Sequence, residues 1–129
     1  MTPLREAVHA ALSADGELAV IDPNYVERAV QLEMAAAVAD AIDDRAALVV
    51  EAGTGVGKTY AYLVPTLLSG ARTLLSTATK TLQDQLFFRD LPRLRGLRAL
   101  LLEAGLRLRV GPVHPQQPTF EVDVSPAER

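Results

Sequence analysis

Residues 46 to 59, Ala46-Ala-Leu-Val-Val-Glu-Ala-Gly-Thr-Gly-Val-Gly-Lys-Thr59, constrain this chain more than any other stretch. The apolar run Ala46 to Val50 has the length of one buried parallel strand, and Gly53, Gly55 and Gly57 follow it at once. Glycines this close together let successive backbone N–H groups turn round an anion with no Cβ in the way. Lys58 and Thr59 would then open a helix whose N-terminus faces negative charge. The string matches the phosphate-loop pattern, with Ala52 where the strict form has glycine. It predicts a cradle of Gly53, Thr54, Gly55, Val56 and Gly57 around a nucleotide's phosphates, with Lys58 reaching the β- and γ-phosphates and the Thr59 hydroxyl on Mg²⁺. A glycine-rich turn that binds nothing is the competing reading, and it does not account for the Lys-Thr pair.

With 129 residues, 49% of them hydrophobic, the chain has room for one domain with a real core. It has no cysteine, so disulfides, thiolate zinc sites and a cysteine-ligated iron–sulfur cluster are not possible in this chain. No signal-peptide layout opens it, and no apolar run approaches the ~18 residues of a membrane span, so a cytoplasmic protein without a membrane partner is expected. The net charge is −3. It is uneven, because Lys80, Arg89, Arg93, Arg95, Arg98, Arg107 and Arg109 outnumber Asp84, Asp90 and Glu103 over residues 80 to 109. Contacts to a phosphate backbone belong there if anywhere, although a solvated basic face explains the charge equally well.

Along the chain, Leu4, Ala7, Val8, Ala11 and Leu12 repeat at helical spacing, with Thr2 as N-cap and Pro3 at the first helical position. Leu18 to Ile21 is a short apolar segment closed by the turn Asp22-Pro23-Asn24. From Val26 to Ile42 a second helix sets Val30, Met34, Ala37, Val38 and Ala41 on its apolar side, against Gln31, Glu33 and Asp40, and ends at Asp43-Asp44. After the loop a helix runs to Ser69-Gly70, with a bend expected at Pro65. Thr73 to Ser76 reads as the next strand and Lys80 to Leu91 as a third helix ending before Pro92. Strand, loop, helix and strand together predict a βαβ unit. Beyond Gly96 the pattern weakens: Leu100 to Ala104 is compatible with helix, while Leu106 to Val110 and Thr119 to Val124 alternate as strands do. The last ten residues are expected to be frayed.

Read with its neighbours, the loop stands between Tyr25-x-x-Arg28-x-x-Gln31-Leu-Glu-Met34 and Leu75-Ser-Thr-Ala-Thr-Lys-Thr-Leu-Gln-Asp-Gln-Leu86. These three blocks resemble the first motifs of bacterial DinG-type superfamily 2 DNA helicases, relatives of the XPD helicases, over residues 15 to 96. The resemblance implies an α/β fold, a partial RecA-like P-loop lobe with a short parallel sheet flanked by helices. It implies that Gln31 pairs with the adenine edge of ATP, its amide offering one donor and one acceptor. It also implies that Ser76 to Thr79 with Gln83 lie along single-stranded DNA, Thr77 and Thr79 giving hydroxyl contacts, although these threonines could equally cap the helix that starts there.

The departures bear on activity. Such a motor needs a D-E-x-H box for Mg²⁺ and the attacking water, and no such string occurs in this sequence. Residues 1–96 are therefore expected to be the nucleotide-binding part, with 97–129 a divergent tail of a truncated or frameshifted chain. ATP and Mg²⁺ binding and weak single-stranded DNA binding are expected, while hydrolysis and unwinding are not expected from this chain alone. A small P-loop kinase and a non-catalytic interaction fragment are the alternatives.

Overall fold

The computed structural model describes residues 2–53, 57–70, 72–76, 79–90, 93–94, 106–112 and 119–126. They group into two compact units, Met1–Ser69 and Gly70–Arg129.

The first unit is helical. Helix α1 spans Pro3–Leu12, α2 Glu17–Ile21, α3 Ala29–Asp44 and α4 Lys58–Ser69. The start of α1 follows from its sequence: the Thr2 hydroxyl accepts from the Arg5 N–H at 3.2 Å, and Pro3 stands where its missing N–H costs nothing. Gly16 allows the sharp approach of α2 to α1, because a Cβ there would overlap the Ala10 carbonyl oxygen. The core is made by Val8, Ala11 and Leu12 of α1, Leu18 of α2, Ala35 and Ala39 of α3, and Ala61, Leu63, Val64 and Leu67 of α4. An ion pair between Arg5 and Asp40 ties α1 to α3 at the surface. Such half-exposed pairs contribute at most about 1 kcal/mol, so apolar burial dominates.

The most deeply buried side of helix α3 is not the one its apolar spacing predicts, although Met34, Ala37, Val38 and Ala41 are half-buried. Gln31, Ala35 and Ala39 are buried, while Val30 is 51% exposed. Residues four apart share one side of a helix, and two alanines on that side let another helix approach closely, which branched side chains would prevent. The helix also runs through Asp43 and Asp44 and ends on Arg45, which is left-handed at φ 53°. The Arg45 and Ala46 N–H groups bond back to the Ile42 and Ala41 carbonyls at 3.3 and 2.9 Å, closing the last turn.

The second unit holds strands β1 Arg72–Ser76, β2 Leu106–Pro112 and β3 Thr119–Pro126, in the spatial order β1-β3-β2. Both pairings are antiparallel, with Leu74 opposite Glu121 and Leu108 opposite Val124. Helix α5, Lys80–Gln85, continues as a π-helical turn over Leu86–Asp90, and Asp90 and Leu94 are buried. The alternation at 106–110 and 119–124 is therefore strand, and β3 reaches Pro126 where a frayed end was expected.

The expected parallel sheet is not what the described residues form. Ala46 to Val50 lies outside any strand with Val49 96% exposed, and β1 takes β3 as an antiparallel neighbour. A five-residue run is a strand only when a neighbour supplies its main-chain hydrogen bonds, and residues 46–50 have no such neighbour among the described residues. Pro65 sits inside α4, which continues past it, and the expected helix at Leu100 to Ala104 lies outside the described residues. Among the described residues no helix is long and apolar enough to cross a membrane.

Candidate nucleotide-binding site

The site is built at the start of α4. Gly57 is left-handed at φ 76°, and its carbonyl accepts the Ala61 N–H at 3.2 Å, the first turn of the helix. A side chain at this position would be strained. Lys58 follows as the first residue of a twelve-residue helix, exposed, and Thr59 is half-buried beside it. A helix start leaves N–H groups without partners inside the helix, and these together with the macrodipole favour an anion. Gly53 is exposed, with nothing within 4 Å of where a Cβ would stand. Thr54, Gly55 and Val56 lie outside the described residues.

Gln31 is brought to the same place from α3. It is 3% exposed, and its Nε2 donates to the Gly57 carbonyl at 3.0 Å. Its Oε1 accepts from the Tyr25 hydroxyl at 2.9 Å, and that hydroxyl also bonds the Leu12 carbonyl. Burial, with Glu27 adding to it and Arg28 opposing, raises the Tyr25 pKa to about 12, so the phenol stays a neutral donor. The Tyr25 ring meets Tyr60 edge-on at 6.4 Å, and the Tyr60 hydroxyl donates to Asp22 Oδ2 at 3.2 Å. Asp22 in turn shapes its own turn, accepting the Asn24 N–H at 3.0 Å.

Gln31, Gly57, Lys58 and Thr59 are thus gathered at one helix start. Tyr25, the first residue of the motif that contains Gln31, is a hydrogen-bonding residue here. From the sequence, Asp22 is only a turn residue and Tyr60 has no role. Tyr60 lies two residues after Lys58, and that spacing was the available signal. In the second unit, Thr79 caps α5, accepting the Leu82 N–H at 3.2 Å, and Gln83 lies within that helix, while Thr77 is outside the described residues. Within the basic stretch, Arg89 pairs with its buried neighbour Asp90 at 3.2 Å and Arg93 is exposed. Among the described residues no group of three or more His, Cys, Asp or Glu could hold a metal ion.

Among the proteins this chain is similar to are ATP-dependent DNA helicases. It is 54% identical over 83 residues to the ATP-dependent DNA helicase YoaA of Haemophilus influenzae, a match covering 64% of this chain and 13% of that protein. To the YoaA of Escherichia coli it is 54% identical over 78 residues, 60% of this chain and 12% of the relative. To the ATP-dependent helicase DinG of Mycobacterium tuberculosis it is 54% identical over 68 residues, 50% of this chain and 10% of the relative. The resemblance drawn from the three motifs therefore holds: this chain contains a segment similar to DinG-type helicases. It spans little more than a tenth of the length of these relatives. No family model and no solved structure matches it.

Proposed function

We propose that this chain binds ATP with Mg²⁺ through the loop that precedes α4, as the nucleotide-binding part of a DinG-type DNA helicase. One observation carries the reading: a left-handed Gly57 starts α4 with Lys58 exposed at its first position. That arrangement suits a phosphate chain, because backbone N–H groups and one mobile cation converge on it at no steric cost. Residues 53 to 59 form the cradle, and Thr59 is the Mg²⁺ ligand of the chain. In this reading residues 1–96 carry the nucleotide-binding function, 97–129 stand outside it, and the 46–50 run becomes a strand of a parallel sheet when a neighbouring strand pairs with it. The location is cytoplasmic.

The other assignments follow from the resemblance. The resemblance would give Gln31 to adenine, but its amide is engaged in a buried contact with the Gly57 carbonyl and would have to leave it to read a base. Thr77, Thr79 and Gln83 touch single-stranded DNA, weakly and with strong salt dependence, since such contacts are to the backbone. Phosphoryl transfer also needs a carboxylate that orients water and an arginine facing the transition state. Neither role is given to a residue of this chain, so binding without turnover is expected of it.

Calorimetry with ATP and Mg²⁺ tests the reading. Lys58→Ala removes a charge-assisted contact worth about 1.5–3 kcal/mol, so affinity should fall roughly ten- to a hundredfold. Equal affinities of the two proteins would overturn the phosphate-loop reading.

A further inference from the structure

The hydrogen bonds around Gln31 have a direction that the chemistry fixes. A carbonyl oxygen only accepts, so the Gln31 atom facing Gly57 must be the amide nitrogen, and Oε1 must face Tyr25. Tyr25 then has to donate, with one proton within reach of both Gln31 Oε1 and the Leu12 carbonyl. The same Gly57 oxygen that takes the Gln31 N–H also takes the first helical N–H of α4, from Ala61. Glycine at this position answers two demands at once: the left-handed φ of 76°, and the space occupied by Gln31, whose Nε2 would overlap any Cβ. A buried side chain of α3 is therefore seated on the last peptide of the loop, and Tyr25 orients it. The Tyr60 ring holds Tyr25 from α4 itself.

We propose that Tyr25 and Gln31 are positioning residues for the phosphate end of the site: they fix the Gly57 peptide and so aim Lys58 and the first N–H groups of α4. This rests on the phosphate-loop reading and goes beyond it, because it gives Gln31 an action on phosphate that does not depend on the base. An adenine reader and a loop-positioning residue predict different ligand profiles. Loss of the first weakens ATP and leaves GTP and inorganic tripolyphosphate as they were. Loss of the second weakens all three alike, since the phosphates are what they share.

The experiment is calorimetry of ATP, GTP and tripolyphosphate, each with Mg²⁺, on the wild type, Tyr25→Phe, Gln31→Met, the double variant and Lys58→Ala. Methionine keeps the length of glutamine without its amide, and phenylalanine keeps the ring, so both fit the space; circular dichroism checks that each is folded. Gln31→Met should weaken all three ligands by about tenfold or less, the range of one or two neutral hydrogen bonds, and Tyr25→Phe by a smaller common factor. Because Tyr25 acts through Gln31, Tyr25→Phe should cost nothing further in the Gln31→Met background, an outcome that general loosening of the fold would not give. A loss confined to ATP, no loss in either variant, or full additivity overturns the proposal. No binding by the wild type, or equal binding by Lys58→Ala, would instead remove the phosphate-loop reading on which it rests.

Discussion

The two units of this molecule use their apolar residues differently. In the first, apolar side chains from four helices are buried together, and the amide of buried Gln31 is hydrogen-bonded at both ends. In the second, order comes from the main chain: β3 lies between β1 and β2, and Leu74 of β1 is 66% exposed. A helical unit settles its own backbone hydrogen bonds and needs partners only for its side chains. A strand needs a partner for its backbone and takes the one within reach. The contrast explains why the start of α4 is ordered by its own helix while the apolar run at 46–50 is exposed.

The sharpest way to break this contrast is to remove one apolar side chain from each unit. Leu63 is fully buried in α4, and Leu63→Ala should cost about 2–5 kcal/mol, the range for a core leucine whose cavity closes only in part. Leu74→Ala should cost less than about 1 kcal/mol, mostly through strand preference. Urea unfolding of both variants measures it. Similar losses would mean that the Leu74 face of the sheet is covered in solution.

The starts of α1, α4 and α5, the turn at Asp22 and the two alternating segments at 106–110 and 119–124 were legible in the sequence, because each depends on local chemistry: a hydroxyl cap, a proline, a period of two. Three features were not legible, and each depends on what lies across from it. The buried side of α3 departs from the apolar spacing because Ala35 and Ala39 carry little hydrophobic signal, although smallness is what lets another helix close on them. The antiparallel partner of β1 is not legible because a strand's sequence does not state which edge it will meet. At the candidate site the Gly-Lys-Thr string gave the loop and the start of α4. The seat of Gln31 on Gly57 involves residues 26 apart, and no spacing rule reports it.

A smaller effect sharpens the comparison through pH. Tyr25 has its pKa raised to about 12 in the folded protein, against an ordinary value of 10. Between these values the unfolded chain releases the proton and the folded one keeps it, so stability falls as pH rises through this window and is constant below it. Comparison with Tyr25→Phe isolates this hydroxyl's contribution to the slope. The difference in melting temperature between wild type and Tyr25→Phe should shift against the wild type above pH 10. No shift would mean that the hydroxyl is as solvated as in the unfolded chain.

The smallest expected effect lies at Arg45, where α3 ends and the exposed run begins. A non-glycine residue at φ 53° costs roughly 1–2 kcal/mol, and glycine removes that strain while adding about 0.5–1 kcal/mol of unfolded-chain entropy. Arg45 is exposed, so little packing is lost with its side chain. The N–H bonds to Ala41 and Ile42 are main-chain bonds and survive the change. Arg45→Gly should therefore raise stability by a few tenths to about 1 kcal/mol, seen as a higher urea midpoint with an unchanged slope. A lower midpoint would show that the left-handed turn is not kept in solution. The chain would then leave α3 in another direction, and the 46–50 run would be free to find a neighbouring strand. An unchanged midpoint with a steeper slope would place the effect in the unfolded ensemble instead.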